Sequence, residues 1–192
     1  PKGAYDSLLN WLDTQPWTTL FIDGNHENFD DLLSYPEIER FNGPVGRIRS
    51  SVYHLKRRGH VYDIAGKRIW CFGGAVSADK IKRIQGQSWW PEELPTRQEM
   101  LYGLEQIEDY HREFDYIITH DCPAHVLCSC WRQFEPYNSS FKKYSSAVGE
   151  YLEIVASKVH FKRWLFGHYH VDISCDYSEH SPYRKQRYRG LY

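Results

Sequence analysis

A layered α/β architecture with mixed sheets is the class this sequence predicts. Two observations carry it: short strand-like apolar runs alternate with stretches of helical periodicity, and some of those runs are paired across hairpin-like turns. No internal repeat or low-complexity segment interrupts the pattern. In chain order, Tyr5, Leu8, Leu9 and Leu12 recur at helical spacing over residues 4–14. Trp17 to Asp23 reads as a strand rich in Thr, Leu, Phe and Ile. Residues 34–50 hold Pro36, Gly43, Pro44 and Gly46 and read mostly as loop, followed by a short strand from Val52 to Leu55. Val61–Ile64 and Arg68–Phe72 flank Ala65-Gly66-Lys67 as a hairpin, and the second arm runs into Gly73-Gly74-Ala75. A long polar loop spans 78–96. Thr96 and Glu99 then form a capping box ahead of a helix whose apolar stripe is Met100, Leu101, Leu104 and Ile107. Asp115–Thr119 is a strand, 120–138 a loop, and Tyr144, Val148, Tyr151, Leu152 and Val155 mark a helix. Arg163–Phe166 is a strand, and one or two further strands follow from Val171.

The chain of 192 residues is long enough for one domain with a sizeable core, and a single domain is the expectation. Its net charge of −1 supplies no global attraction to nucleic acid or to an anionic membrane surface. No apolar run approaches the roughly 18 residues of a membrane-spanning helix, and the N-terminus has no signal-peptide pattern. Five cysteines, an odd number at irregular spacing, argue against a disulfide framework and predict reduced thiols in a cytoplasmic setting.

Three apolar strands end in polar residues of one chemical kind. TTLFID leads to Gly24-Asn25-His26-Glu27, DYIIT to His120-Asp121, and RWLF to Gly167-His168-Tyr169-His170. Sites in open α/β sheets form beyond the carboxyl ends of strands. If these strands are neighbours, Asn25, His26, His120, His168 and His170 converge. Imidazoles gathered with an amide oxygen suit Zn, Mn or Fe. An extended backbone over 168–170 would send both imidazoles to one face. A single histidine after a strand is ordinarily a solvated loop residue, and His54, His60, His111, His125, His160 and His180 are read that way.

GNHE at 24–27, THDCP at 119–123 and GHYH at 167–170 resemble, in order and separation, the later motifs of the calcineurin-like metallophosphoesterase superfamily. TTLFIDGNHENFD, FGGAVSADK and SWWPEELP are similar to a bacterial or phage-type branch, so the resemblance covers most of residues 5–192. It implies a four-layer αββα sandwich of two mixed sheets flanked by helices. It implies a pair of divalent transition metals (Mn, Fe or Zn, with Mn preferred), one held by Asn25, His120 and His168 and the other by His170. It implies a metal-bridging hydroxide that attacks phosphorus, with His26 assisting the leaving group as general acid or charge stabiliser, a role suited to a group of pKa about 6.5. The implied partner is a phosphoester: phosphoprotein, nucleotide and nucleic acid are all open.

The family pattern opens with Asp-x-His and Gly-Asp, some tens of residues before GNHE. This chain has no Gly-Asp, its one Asp-x-His is Asp109-Tyr110-His111 in the capped helix, and 23 residues precede Gly24. Arg187–Tyr192 reads as a strand in which the sequence stops. The expectation is therefore an incomplete domain over 1–192, an internal portion of a longer protein, with little hydrolysis from these residues alone. The alternative is a catalytically deficient scaffold serving as a binding module, with nucleic acid as the candidate ligand.

In the long loop, Arg83 or Lys80 is a candidate phosphate contact, and Trp89 and Trp90 are candidates to stack on a base, against the plainer reading of a hydrophobic anchor. Gly73–Ser77 is a candidate to line the same edge, or a plain glycine turn. Cys122, Cys128 and Cys130 lie near His120 and His125 but lack the paired Cys-x-x-Cys halves of a structural zinc site. The tail YRKQRYRG, residues 183–190, is read as a charge-guarded edge strand ahead of a nucleic-acid contact.

Overall fold

Side chains alternate across a strand, so a strand buried on both faces needs apolar residues at every position, and here the alternation sorts them into two cores. The computed structural model describes residues 6–134, 146–176 and 187–191. Its strands are β1 (Thr19–Phe21), β2 (Glu37–Arg40), β3 (Gly43–Arg47), β4 (Val52–His54), β5 (His60–Ile64), β6 (Lys67–Phe72), β7 (Glu113–Thr119), β8 (His160–Phe166), β9 (Ile173–Asp176) and β10 (Arg187–Gly190). Its helices are α1 (Asp6–Asp13), α2 (Phe29–Ser34), α3 (Arg97–Asp109), α4 (Ala124–Phe134) and α5 (Ala147–Ala156). Two mixed sheets form, one in the order β1-β4-β3-β2 and one in the order β5-β6-β7-β8-β10-β9.

In β6, Ile69 and Cys71 point into the core shared by both sheets, with Val45, Tyr53 and Tyr62. Trp70 and Phe72 point the other way, into a core built with Ile107 of α3, Val126 and Leu127 of α4, and Leu152 and Val155 of α5. On the far side of the smaller sheet, Val52 and Ile48 pack with Phe29 and Leu32 of α2 and with Trp90, and Leu9 and Leu12 of α1 lean on the same cluster. The molecule is thus a mixed α/β fold of two sheets with helices against their outer faces.

Most local expectations match the observed elements: the first helix, the β5–β6 hairpin, and α3 with its capping box complete at Thr96 and Glu99. Three do not. Residues 34–50, expected as loop, contain the antiparallel hairpin β2–β3, which turns through Phe41 and Asn42, both at positive φ (58° and 65°). That is the backbone a two-residue hairpin with right-handed strand twist requires. Pro44 is tolerated because β4 pairs with β3 only at Gly46 and Arg47, leaving the missing N–H outside the β3–β4 ladder. Residues 124–134, also expected as loop, form α4, whose first turn bonds to the carbonyl of Pro123 and buries Val126 and Leu127. The third departure is at the cysteines. Cys71, Cys122 and Cys128 are free thiols, but Cys175 is disulfide-bonded, so the expectation of fully reduced thiols fails there. Tyr144, His180 and residues 183–186 of the basic tail lie outside the described residues; the tail's remainder forms β10, which pairs with both β8 and β9 and is therefore not an edge. Among the described residues, no helix is long and apolar enough to cross a membrane.

Candidate functional site

Phe72, Thr119 and Phe166 are register partners across the parallel strands β6, β7 and β8. The next residues of these strands, Gly73, His120 and Gly167, therefore leave the sheet side by side. The staggered bonds His120 N–H to Phe72 O (3.2 Å) and Gly167 N–H to His120 O (3.1 Å) continue the ladder past the strand ends. The GNHE segment arrives from the other sheet, at the end of β1. The convergence anticipated for neighbouring strands thus involves neighbours only for β7 and β8, and β1 meets them across the gap between the sheets.

The bridge between the sheets is Asp23. Its backbone carbonyl accepts from Gly74 N–H at 3.0 Å. Its carboxylate accepts from Arg58 Nε (3.0 Å) and Nη2 (2.5 Å) and contacts His54 Nε2 at 3.3 Å. Burial by itself would raise the Asp23 pKa, but His54 and Arg58 together hold it below the ordinary carboxylate value. One residue later, Gly24 N–H donates to Glu27 Oε1 at 3.1 Å, and Asn28 caps α2 by accepting from Asp31 N–H. The strand stops where it does because the chain is turning directly from β1 into this helix.

Asn25 is buried at the centre. Its Oδ1 lies 2.9 Å from His120 Nε2 and 3.3 Å from His168 Nδ1, and its Nδ2 donates to Ser77 Oγ at 2.9 Å. The two imidazoles stand 5.2 Å apart, ring centre to ring centre. Burial, then the neighbouring His168, pushes His120 down to about 4; burial, then His26 and His170, does the same to His168. Both rings are therefore neutral near pH 7, the form in which imidazole ligates metals.

His26 is exposed, with its Nε2 3.4 Å from Asn25 Nδ2. Partial desolvation of its ring, and after that Arg83, lowers its pKa. His168 and His170 both have left-handed backbones, φ 65° and 56°, and no strand covers 167–170. The period-two argument for their shared direction therefore does not apply. His170 is exposed and close enough to act electrostatically on both His26 and His168.

Behind the histidines is a second buried carboxylate. Asp121 accepts from Tyr169 Oη (2.5 Å), Ser146 Oγ (2.6 Å) and Cys122 N–H (2.7 Å), and burial raises its pKa despite those donors. It ties the segment after β7 to the residue between His168 and His170.

The long-loop residues divide. Arg83 bonds Asp79 (2.8 Å) and the Ser88 carbonyl (2.9 Å) on the side of the site facing His26. Trp89 and Trp90 are 9% and 8% exposed. Trp90 packs with Phe29 and Leu32 and donates to Asp30 Oδ2 at 2.9 Å, while Lys80 Nζ covers the Trp89 ring at 3.9 Å. Neither indole offers an open face, so the expectation of base stacking is corrected to the anchoring role. Asp109-Tyr110-His111 lies at the C-terminal end of α3 and does not imitate a strand-end motif. Gly73–Ser77 does line the edge, through Gly74 and Ser77. Sequence reasoning did not identify Asp23, Arg58 or Glu93, whose partners here are 16 or more residues away.

Among the described residues, no three His, Cys, Asp or Glu side chains gather as a ready metal shell. The gathered donors are two imidazoles and one amide oxygen. No protein-family model matches the chain, and no curated protein matches it.

Proposed function

We propose that this protein is a metal-dependent phosphoester hydrolase of the metallophosphoesterase kind, with a four-layer αββα fold. The observation that carries the reading is the meeting of Asn25 Oδ1 with His120 Nε2 and His168 Nδ1 at the carboxyl ends of strands from both sheets. The donor chemistry fits a divalent transition metal: neutral imidazoles and an amide oxygen, held by hydrogen bonds to one another and backed by buried partners. Asn25, His120 and His168 would hold one cation, and His170 would serve a second, with Mn preferred. When bound, the cations offset charge on the phosphoryl oxygens and make a water-derived nucleophile available near neutral pH.

The chain's own groups do the remainder. His26, lowered in pKa and exposed beside Asn25, faces solvent where a leaving group would depart and can hold or give a proton there. Arg83 lends positive charge on the same side, with Asp79 fixing its guanidinium.

The alternative reading, a catalytically deficient scaffold that binds nucleic acid, draws on Asp23. This carboxylate, two residues from Asn25, is committed to Arg58 and His54 and is not offered to a cation. Two experiments separate the readings. Mn²⁺ titrated into the chain by calorimetry should bind, and His168→Ala should abolish binding. Mn²⁺-dependent hydrolysis of a chromogenic phosphoester, slow for residues 1–192 alone, should fall a further 10²–10⁴-fold, roughly, in His26→Ala. Salt-sensitive retention of RNA or DNA with neither cation binding nor hydrolysis would favour the scaffold.

A further inference from the structure

The direction in which the Asn25 amide points decides what the site offers a cation. The side chain carries an acceptor and a double donor at nearly the same position, and a half-turn exchanges them. If the NH₂ faced His120 and His168, the site would lose its oxygen donor. Something must therefore set the direction of this amide, and a chain of buried groups does so.

The chain begins at Glu93, which is fully buried at the end of the short 3-10 turn Pro91–Glu93. Its carboxylate takes both donors of Ser77: the backbone N–H at 3.2 Å on Oε1 and the hydroxyl at 2.5 Å on Oε2. With its only proton given to Glu93, Ser77 Oγ can only accept from its other neighbour. That neighbour is Asn25, so the Asn25 Nδ2 must face Ser77 (2.9 Å), and Oδ1 must face the imidazoles. Ser77 is 3% exposed and Asn25 5%, so water does not compete for these bonds. The backbone carries the same lock. Gly74 has φ +84°, and a Cβ placed there would come within 2.5 Å of the Glu93 carbonyl oxygen. The end of the long loop is thus pressed against the segment that follows β6.

We propose that Glu93, acting through Ser77, is a positioning residue that fixes the Asn25 amide with its oxygen toward His120 and His168. The functional weight of this inference rests on Asn25 being a cation ligand, but the orientation itself does not. Its consequence is that the loop bearing Arg83 and the ligand bearing the cation are held by one hydrogen-bonded chain. Glu93→Gln tests the polarity of that chain. Gln keeps the shape but introduces an NH₂. When that NH₂ donates to Ser77 Oγ, the hydroxyl proton is redirected toward Asn25, which favours the turned amide.

The test pairs two readouts on ¹⁵N-labelled chain. The first is the Asn25 side-chain NH₂ signal in metal-free protein, assigned by its loss in Asn25→Asp. The second is the affinity for Mn²⁺ and for Zn²⁺ by calorimetry. In the wild type the NH₂ pair should exchange slowly with solvent. Ser77→Ala should speed that exchange at least tenfold and weaken cation binding about 10–100-fold, the usual effect of removing a partner behind a ligand. Ser77→Thr, which keeps the hydroxyl, should restore both, a recovery that a loss of packing alone would not give. Glu93→Gln should weaken binding as Ser77→Ala does. If Glu93→Gln does not fold, the Ser77→Ala and Ser77→Thr pair decides the matter. If Ser77→Ala leaves the Asn25 signal unchanged and cation affinity within twofold, the relay is wrong while the cation site stands. If the wild type binds neither ion but the Asn25 signal moves in Ser77→Ala and returns in Ser77→Thr, the relay stands and the cation reading fails.

Discussion

One residue, Asp23, holds together groups from four parts of the chain: it follows β1, its backbone carbonyl takes Gly74 N–H, and its carboxylate takes His54 of β4 and Arg58 ahead of β5. Arg58 in turn donates to the Glu92 carbonyl at 2.7 Å, next to the residue that orients Ser77. Both Asp23 and Arg58 are nearly fully buried, at 2% and 6% exposed, so each charge depends on the other. Asp23→Asn keeps the shape and removes the charge, leaving the buried guanidinium with the more distant Glu99 carboxylate at 3.8 Å. We expect a loss of about 3–5 kcal/mol in unfolding free energy by urea denaturation. Arg58→Met, alone or combined with Asp23→Leu, separates loss of the pair from isolation of a charge: the double replacement should be less damaging than either single one. None of this was legible in the sequence. Asp23 reads as the last residue of a strand, and its partners are 31 and 35 residues away. The histidine and asparagine candidates were legible because each falls within four residues of the end of an apolar strand-like run, and that signal is local.

Helix α3 illustrates what local signals do and do not reach at the level of the element. Its start was readable to the residue, because Thr96 and Glu99 satisfy each other's end of the helix within four positions. Its docking was not. Gly59, with φ +78°, lies against Gly103 so closely that a Cβ at 59 would fall 2.4 Å from the Gly103 Cα. Two glycines 44 positions apart thus let the helix settle on the loop before β5, and Trp70 Nε1 bonds the Gly103 carbonyl beneath them. Gly59→Ala should cost about 1–3 kcal/mol for the forced separation and roughly 1–2 more for the left-handed backbone, read as a lowered urea midpoint. Gly66→Ala is the control: no atom approaches within 4 Å of its would-be Cβ, so only the backbone penalty remains. The helix α4 was missed for the opposite reason. Its polar face and its cysteines imitate loop composition, and its apolar face is defined by the sheet it covers.

On the scale of the whole molecule, His60 joins three layers. Its Nδ1 contacts Tyr102 Oη of α3 at 2.6 Å, and its Nε2 donates to the Asn42 carbonyl in the β2–β3 turn at 2.8 Å, while its backbone belongs to the larger sheet. Burial lowers its pKa, ahead of the opposing effect of the Asn42 carbonyl. As pH falls through the unfolded value of about 6.5, the unfolded chain takes up a proton before the folded one does. Stability is therefore fully present above that pH and is lost as the pH falls toward the depressed folded value. Urea midpoints measured at pH 7.5 and 5.5 should fall on acidification, and His60→Gln should make the fall smaller. An unchanged slope in that variant would assign the acid sensitivity to other histidines, of which His125 is also lowered by burial.

The sequence by itself determined the alternation of strands and helices, the capped start of α3, the β5–β6 hairpin and the run of polar residues at three strand ends. Each of these is written in periodicity, capping or turn chemistry within about ten neighbouring residues, where steric and hydrogen-bonding preferences act without help from the rest of the chain. Only the tertiary structure decided that β1 belongs to a different sheet from β7 and β8, that Trp89 and Trp90 are buried anchors, and that the Asn25 oxygen faces His120 and His168. The last of these depends on partners 95 and 143 residues away from Asn25, and on a carboxylate that reaches it through Ser77. A buried amide has no preferred direction of its own; the donors and acceptors that packing brings against it choose one.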